Sequence, residues 1–120
     1  MNPSEKKLHN ILVDLNASCD EILLSMITTS DGLTISSIGN MHEDKVSAMC
    51  SELLTVCSRS AEALKQGEVN EMLLRCSETN MLLMPTGKMV VLALITQQEI
   101  NLGLLFIEAQ RAKKAIITCF

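Results

Sequence analysis

The longest run of regular hydrophobic spacing in the chain lies within Asn40–Gly67. Its apolar residues fall at Val46, Met49, Cys50, Leu53, Leu54, Cys57, Ala61 and Leu64, the i, i+3, i+4, i+7 spacing of an amphipathic helix. At about 100° per residue they cover an arc of roughly 140°, wide enough for a core-facing stripe. Asn40, with Glu43 three positions on, predicts a capping box at the start. Gly67, just after Lys65, is expected to supply the left-handed residue beyond the end. On the far side, Ser47, Ser51, Thr55 and Ser58 make a strip of small side chains, charged only at its ends by Asp44 and Glu62. Ser and Thr are poorer helix formers than the Lys and Glu of an ordinary solvated face. The strip therefore predicts close approach by another protein, with plain solvation as the alternative.

Shorter patterns flank this helix. Asn2-Pro3-Ser4-Glu5 has the form of a helix start, and Leu8, Ile11, Leu12 and Leu15 continue it to about Asn16. Glu21–Thr29 and Leu33–Ile38 read as two strands joined by Ser30-Asp31-Gly32. Beyond the long helix, Val69–Ser77, Met81–Met84 and Met89–Thr96 read as three more strands. Turns are expected at Glu78-Thr79-Asn80 and Pro85-Thr86-Gly87-Lys88. Leu102, Leu105, Phe106, Ala109 and Ile116 share the stripe of a last helix, whose end carries Arg111, Lys113 and Lys114. Gly103 is expected to pack closely on the sheet. Short turns within each strand group imply antiparallel pairing. The chain, 1–120, is expected to be one α+β domain in the order α-β-β-α-β-β-β-α, with one antiparallel sheet and helices on its faces.

Composition narrows the functional classes. With 48% hydrophobic and 20% charged residues, a packed core is expected and disorder is not. Two Phe, no Trp or Tyr, and a net charge of −4 argue against stacking platforms and phosphate-tracking patches, so no nucleic-acid partner is expected. Five cysteines (Cys19, Cys50, Cys57, Cys76 and Cys119), an odd number without a close pair, fit a reducing compartment. Lys6 and Lys7 precede Leu8–Val13, but His9, Asn10 and Asp14 make that run too polar for a secretory signal. No membrane insertion and a cytoplasmic location are the expectation.

Candidate chemistry is sparse. Gly87-Lys88 resembles the end of a phosphate loop, but Met89 replaces the required Ser or Thr, and Leu82 stands where its first Gly belongs. Cys50 and Cys57 with His42 are better read as core residues and a solvated His than as metal ligands. His9 and His42 have no adjacent nucleophile, and Glu99 and Glu108 read as solvated. The eight Met fit either core filling or an adaptable surface. No cofactor, metal or catalytic residue is expected, and so no enzyme activity.

Four segments together carry a resemblance. They are Asp31-Gly32-Leu33, Glu68-Val69-Asn70-Glu71-Met72-Leu73-Leu74-Arg75, Leu82-Leu83-Met84-Pro85-Thr86-Gly87 and Asn101-Leu102-Gly103-Leu104-Leu105. In this order and spacing, over roughly Glu21–Ala115, they resemble the Roadblock family. That family includes roadblock-type dynein light chains, lysosomal scaffold subunits and bacterial gliding-motility regulators of small GTPases. The resemblance implies a profilin-like, five-stranded sheet with the first and last helices on one face and the long helix on the other. It implies homodimers that pair their third strands edge to edge, here about Val69–Cys76, with the long helices side by side. The dimer interface would then involve Ser47, Ser51, Leu54, Ser58, Glu71, Met72, Leu73, Leu74 and Arg75. Glu52, Thr55, Arg59 and Glu62, on the outward arc of the long helix, would meet a Ras-like small GTPase. The implied function is a non-catalytic regulator of that partner's GTP cycle. The competing expectation is a structural or motor-complex adaptor with no effect on GTP turnover. Ser51→Arg is expected to weaken association while leaving the monomer folded.

Overall fold

The computed structural model describes residues 2–87 and 89–120. Lys88, part of the expected turn and of the phosphate-loop comparison, lies outside the described residues. The elements run α1 (Pro3–Ser18), β1 (Ile22–Thr29), β2 (Thr34–Gly39), α2 (Glu43–Ala63), β3 (Met72–Arg75), β4 (Thr79–Pro85), β5 (Val90–Gln97) and α3 (Leu102–Ile117). The strands form one antiparallel sheet in the order β2-β1-β5-β4-β3, so β2 and β3 are its edges. This is the α+β architecture that the sequence predicts.

The sheet separates two cores. Leu8, Leu12 and Leu15 of α1 and Leu105, Ala109 and Ile116 of α3 pack with Ile27, Leu82, Leu92 and Leu94 on one face. On the other face Cys50 of α2 packs with Leu24, Met26, Leu83, Ala93 and Ile95, flanked by Val46, Leu53, Leu54 and Met72. β5 is buried along nearly its whole length because helices cover both its faces. Burial pushes the Cys50 thiol up to about 11, so it is neutral and unreactive at pH 7.

The helix ends show which local signals hold. Asn2 caps α1 as expected: its Oδ1 accepts from the Glu5 amide at 2.8 Å, and its Nδ2 donates to Glu5 Oε1 at 3.1 Å. Asn101 caps α3 by accepting from the Leu104 amide at 3.0 Å. α2 departs from expectation at both ends. It begins at Glu43 rather than Asn40, and His42 at its cap makes no side-chain cap bond. It stops earlier than Gly67. The Gln66 amide donates to Ala61 O at 2.9 Å and the Lys65 amide to Glu62 O at 3.1 Å, the paired bonds of a Schellman cap. The left-handed position is therefore Lys65, at φ +55°, with Gly67 two residues further on. A lysine there bears a Cβ penalty that glycine avoids. Lys65→Gly is expected to raise stability by about 0.5–1 kcal/mol, read as a higher urea midpoint at unchanged slope.

Other expectations are corrected by tertiary neighbours. Met49 and Leu64, assigned to the core stripe of α2, are 43% and 70% exposed. Gly103 is exposed, and an added Cβ would meet only the Asn101 side chain at 3.4 Å, so it is not a close-packing position. Glu108 is largely covered rather than solvated, and Arg111 lies 3.3 Å from it. The β3–β4 turn falls at Ser77-Glu78, closed by the Cys76 amide donating to Thr79 O at 3.1 Å, so Thr79 and Asn80 already belong to β4.

β3 is also shorter than Val69–Ser77, and the reason lies in its partner strand. The register pairs Met72 with Leu83 and Leu74 with Met81. Because Cys76 and Thr79 form a hydrogen-bonded pair, alternation makes 74/81 and 72/83 hydrogen-bonded pairs too. The next such pair would be Asn70 with Pro85, and Pro85 has no N–H. The ladder stops there.

Candidate interaction surface

The serine strip divides in the folded chain. Ser47 is fully buried, where Thr34 Oγ1 donates to it at 2.7 Å and it donates to Thr28 Oγ1 at 3.1 Å. Thr28 in turn donates to Leu33 O at 2.9 Å, which completes a hydroxyl chain between α2 and the β1–β2 hairpin. Ser51 Oγ donates to Ser30 O at 2.8 Å. Gly32, at φ +93°, brings the hairpin tip so close that an added Cβ would sit 3.3 Å from Ser47 O and 3.4 Å from Ser51 Cβ. At Ser47 and Ser51 the close-approaching backbone is thus the chain's own hairpin and not the second protein that the strip predicts. Ser47 has no surface to offer a second chain. A bulky Ser51→Arg would push this hairpin away, so it does not isolate association as expected. Small side chains were needed for packing within the molecule.

The second half of the strip faces outward. Ser51, Leu54, Thr55, Ser58, Arg59 and Glu62 line one open groove of about 1190 Å³. Further lining comes from Lys65, Gly67, Glu68, Val69 and Asn70 after α2, from Pro85 and Gly87 at the end of β4 and Val91 of β5, and from Lys113 of α3. Three of the four residues assigned to a GTPase contact, Thr55, Arg59 and Glu62, thus share one concavity. Glu52 is exposed on α2 outside it. The groove mixes charges, with Arg59, Lys65 and Lys113 against Glu62 and Glu68. No spacing rule in the sequence points to Lys65, Val69, Pro85 or Lys113, because only the fold brings that lining to α2.

The residues assigned to dimerisation from β3 lie on the free sheet edge. Alternation places the N–H and C=O of Leu73 and Arg75 outward, unpaired with β4. Met72 packs beneath α2, where Cys57 Sγ approaches its sulfur at 3.1 Å, while Leu73 packs on the α1/α3 side. Glu71 and Arg75 are exposed, and Leu74 is 43% exposed on the α2 side. α2 leaves Met49 and Val56 uncovered as well, the latter 60% exposed. Among the described residues no group of three His, Cys, Asp or Glu side chains is placed to hold a metal ion. No helix among them is long and apolar enough to cross a membrane.

Comparison with known proteins fits this arrangement. Protein MJ1340 of Methanocaldococcus jannaschii is 28% identical over 115 residues, covering 94% of this chain and 99% of its own length. The structure of Myxococcus xanthus MglB superposes with a TM-score of 0.90 at 16% identity, covering 98% of this chain and 90% of that one. A structure described as MglB with tetrameric arrangement gives 0.92 at 11% identity, with coverages of 99% and 91%. The profile of the Roadblock/LC7 domain matches residues 8–96, from within α1 to near the end of β5. The chain belongs to the Roadblock/LC7 domain family.

Proposed function

We propose that this protein is a non-catalytic homodimeric module of the cytoplasm that binds a small Ras-like GTPase and tunes its GTP cycle. The observation that carries the reading is the groove that collects Thr55, Arg59 and Glu62 on the outward side of α2. Family membership supports it, as does the tetrameric arrangement described for one structural neighbour. The unpaired β3 edge and the uncovered Val56 and Leu74 supply a surface that a second copy would bury. In such a complex the GTPase holds the nucleotide and Mg²⁺, and the dimer repositions the partner's own catalytic groups.

Arg59 is the charged groove residue best suited to an anchoring contact, since Arg offers five donors in a fixed fork. Arg59→Ala is expected to weaken GTPase binding by about fivefold or more, measured by titration calorimetry with the Ras-like GTPases of the same genome. The side chain is exposed, so the fold is expected to be unchanged. Full retention of affinity would remove Arg59 from the contact. Retained binding with no effect on GTP hydrolysis by the wild-type protein would favour a purely structural adaptor.

A further inference from the structure

We infer that two copies of the chain join through β3 in one particular register, centred on Leu73 facing Leu73 of the second copy, with Glu71 opposite Arg75 on either side. This rests on the homodimer reading above and adds the pairing that the reading leaves open. Within β3 only Leu73 and Arg75 direct their backbone donors and acceptors outward, and the same alternation gives that direction to Glu71, which immediately precedes the strand; an edge-to-edge ladder therefore uses Leu73 and Arg75 and extends through Glu71. The strand's odd side chains also share one face. A two-fold axis between antiparallel strands then permits only a few centres.

Charge decides among them. A ladder centred on residue 71 places Glu71 against Glu71, and one centred on residue 75 places Arg75 against Arg75. Like charges directly opposite are destabilising. Centres at 72 or 74 leave both charges facing uncharged residues, because Glu71 meets Leu73 or Ser77. The centre at Leu73 alone sets Glu71 opposite Arg75 twice, about 5.5 Å apart at Cα. On the other face it sets Leu74 over Met72, covering the apolar side chain that β3 leaves open beside α2. Both charged side chains are exposed in the single chain and neither has an intrachain ion-pair partner among the described residues. The opposite edge offers no such match, since β2, Thr34–Gly39, carries no charge at all. The β3 edge is complementary to itself.

The test is a charge swap followed by sedimentation equilibrium on wild-type protein, Glu71→Arg, Arg75→Glu and the double variant, with circular dichroism to verify that each monomer is folded. Each single variant turns two opposite-charge pairs into two like-charge pairs and is expected to raise the dimer dissociation constant at least about tenfold. The double variant restores both pairs with their signs exchanged and is expected to return within about threefold of wild type. A wild-type dimer that tolerates the single changes, or a double variant no better than the singles, overturns the register while leaving the dimer standing. A wild-type chain that stays monomeric at high micromolar concentration overturns the dimer itself.

Discussion

Gly39→Ala is expected to destabilise the fold by about 3 kcal/mol or more, lowering the thermal midpoint by about 10 °C. Gly39 ends β2 opposite Leu24, at φ +134°, a conformation that residues with a Cβ rarely adopt. A Cβ built there would lie 2.5 Å from Leu23 O and 2.9 Å from Leu24 Cα. Both are backbone atoms of β1, which is held by β2 on one side and β5 on the other, so neither can move without disturbing the sheet. Gly67→Ala is the control. Its φ is +91°, but nothing lies within 4 Å of the added atom, so only the backbone strain remains, about 1 kcal/mol. Thermal melts of the two variants separate strain from collision.

Proline scanning of β3 is expected to split stability from association. The N–H of Leu74 points toward β4, so Leu74→Pro removes a ladder bond of the monomer and is expected to cost about 3 kcal/mol in a chemical denaturation curve. The N–H of Arg75 points outward, where an edge strand tolerates proline. Arg75→Pro is therefore expected to leave the monomer within about 1 kcal/mol of wild type. It also places a ring carbon where the second copy would accept a hydrogen bond, and dimerisation is expected to fall at least about tenfold by size-exclusion chromatography with light scattering. An unchanged dimer in Arg75→Pro would exclude β3 as the joining edge.

What the sequence reveals of this fold follows from how local each signal is. The cap of α1 is legible because Asn2 bonds to the amide three residues away; Asn101 caps α3 at the same spacing, a local signal that the stripe of the last helix does not include. Period-two and period-3.6 patterns give the order of strands and helices correctly, since each reports burial within its own element. Boundaries set by distant residues are not legible in that way. The length of β3 depends on Pro85, in a different strand, and the early stop of α2 depends on Lys65 accepting a left-handed conformation that spacing would assign to glycine. The serine strip shows the same limit. Helical periodicity gives the direction of Ser47 and Ser51 around α2, but not that the β1–β2 hairpin reaches up to occupy that direction. Outward Thr55, Arg59 and Glu62 were legible as a surface, whereas much of the lining of their groove comes from segments up to about fifty residues further along.

A protein that tunes a GTP cycle must distinguish the two nucleotide states, because a ligand with equal affinity for both shifts neither. The most direct measurement is therefore the affinity of the wild-type protein for one Ras-like GTPase of the same genome, loaded in turn with GDP and with a non-hydrolysable GTP analogue. The account predicts at least about tenfold tighter binding to one of the two states, equivalent to about 1.4 kcal/mol of coupling, with Arg59→Ala weakening the favoured complex. Equal affinity for both states, or binding to neither by any Ras-like GTPase of that genome, would contradict it.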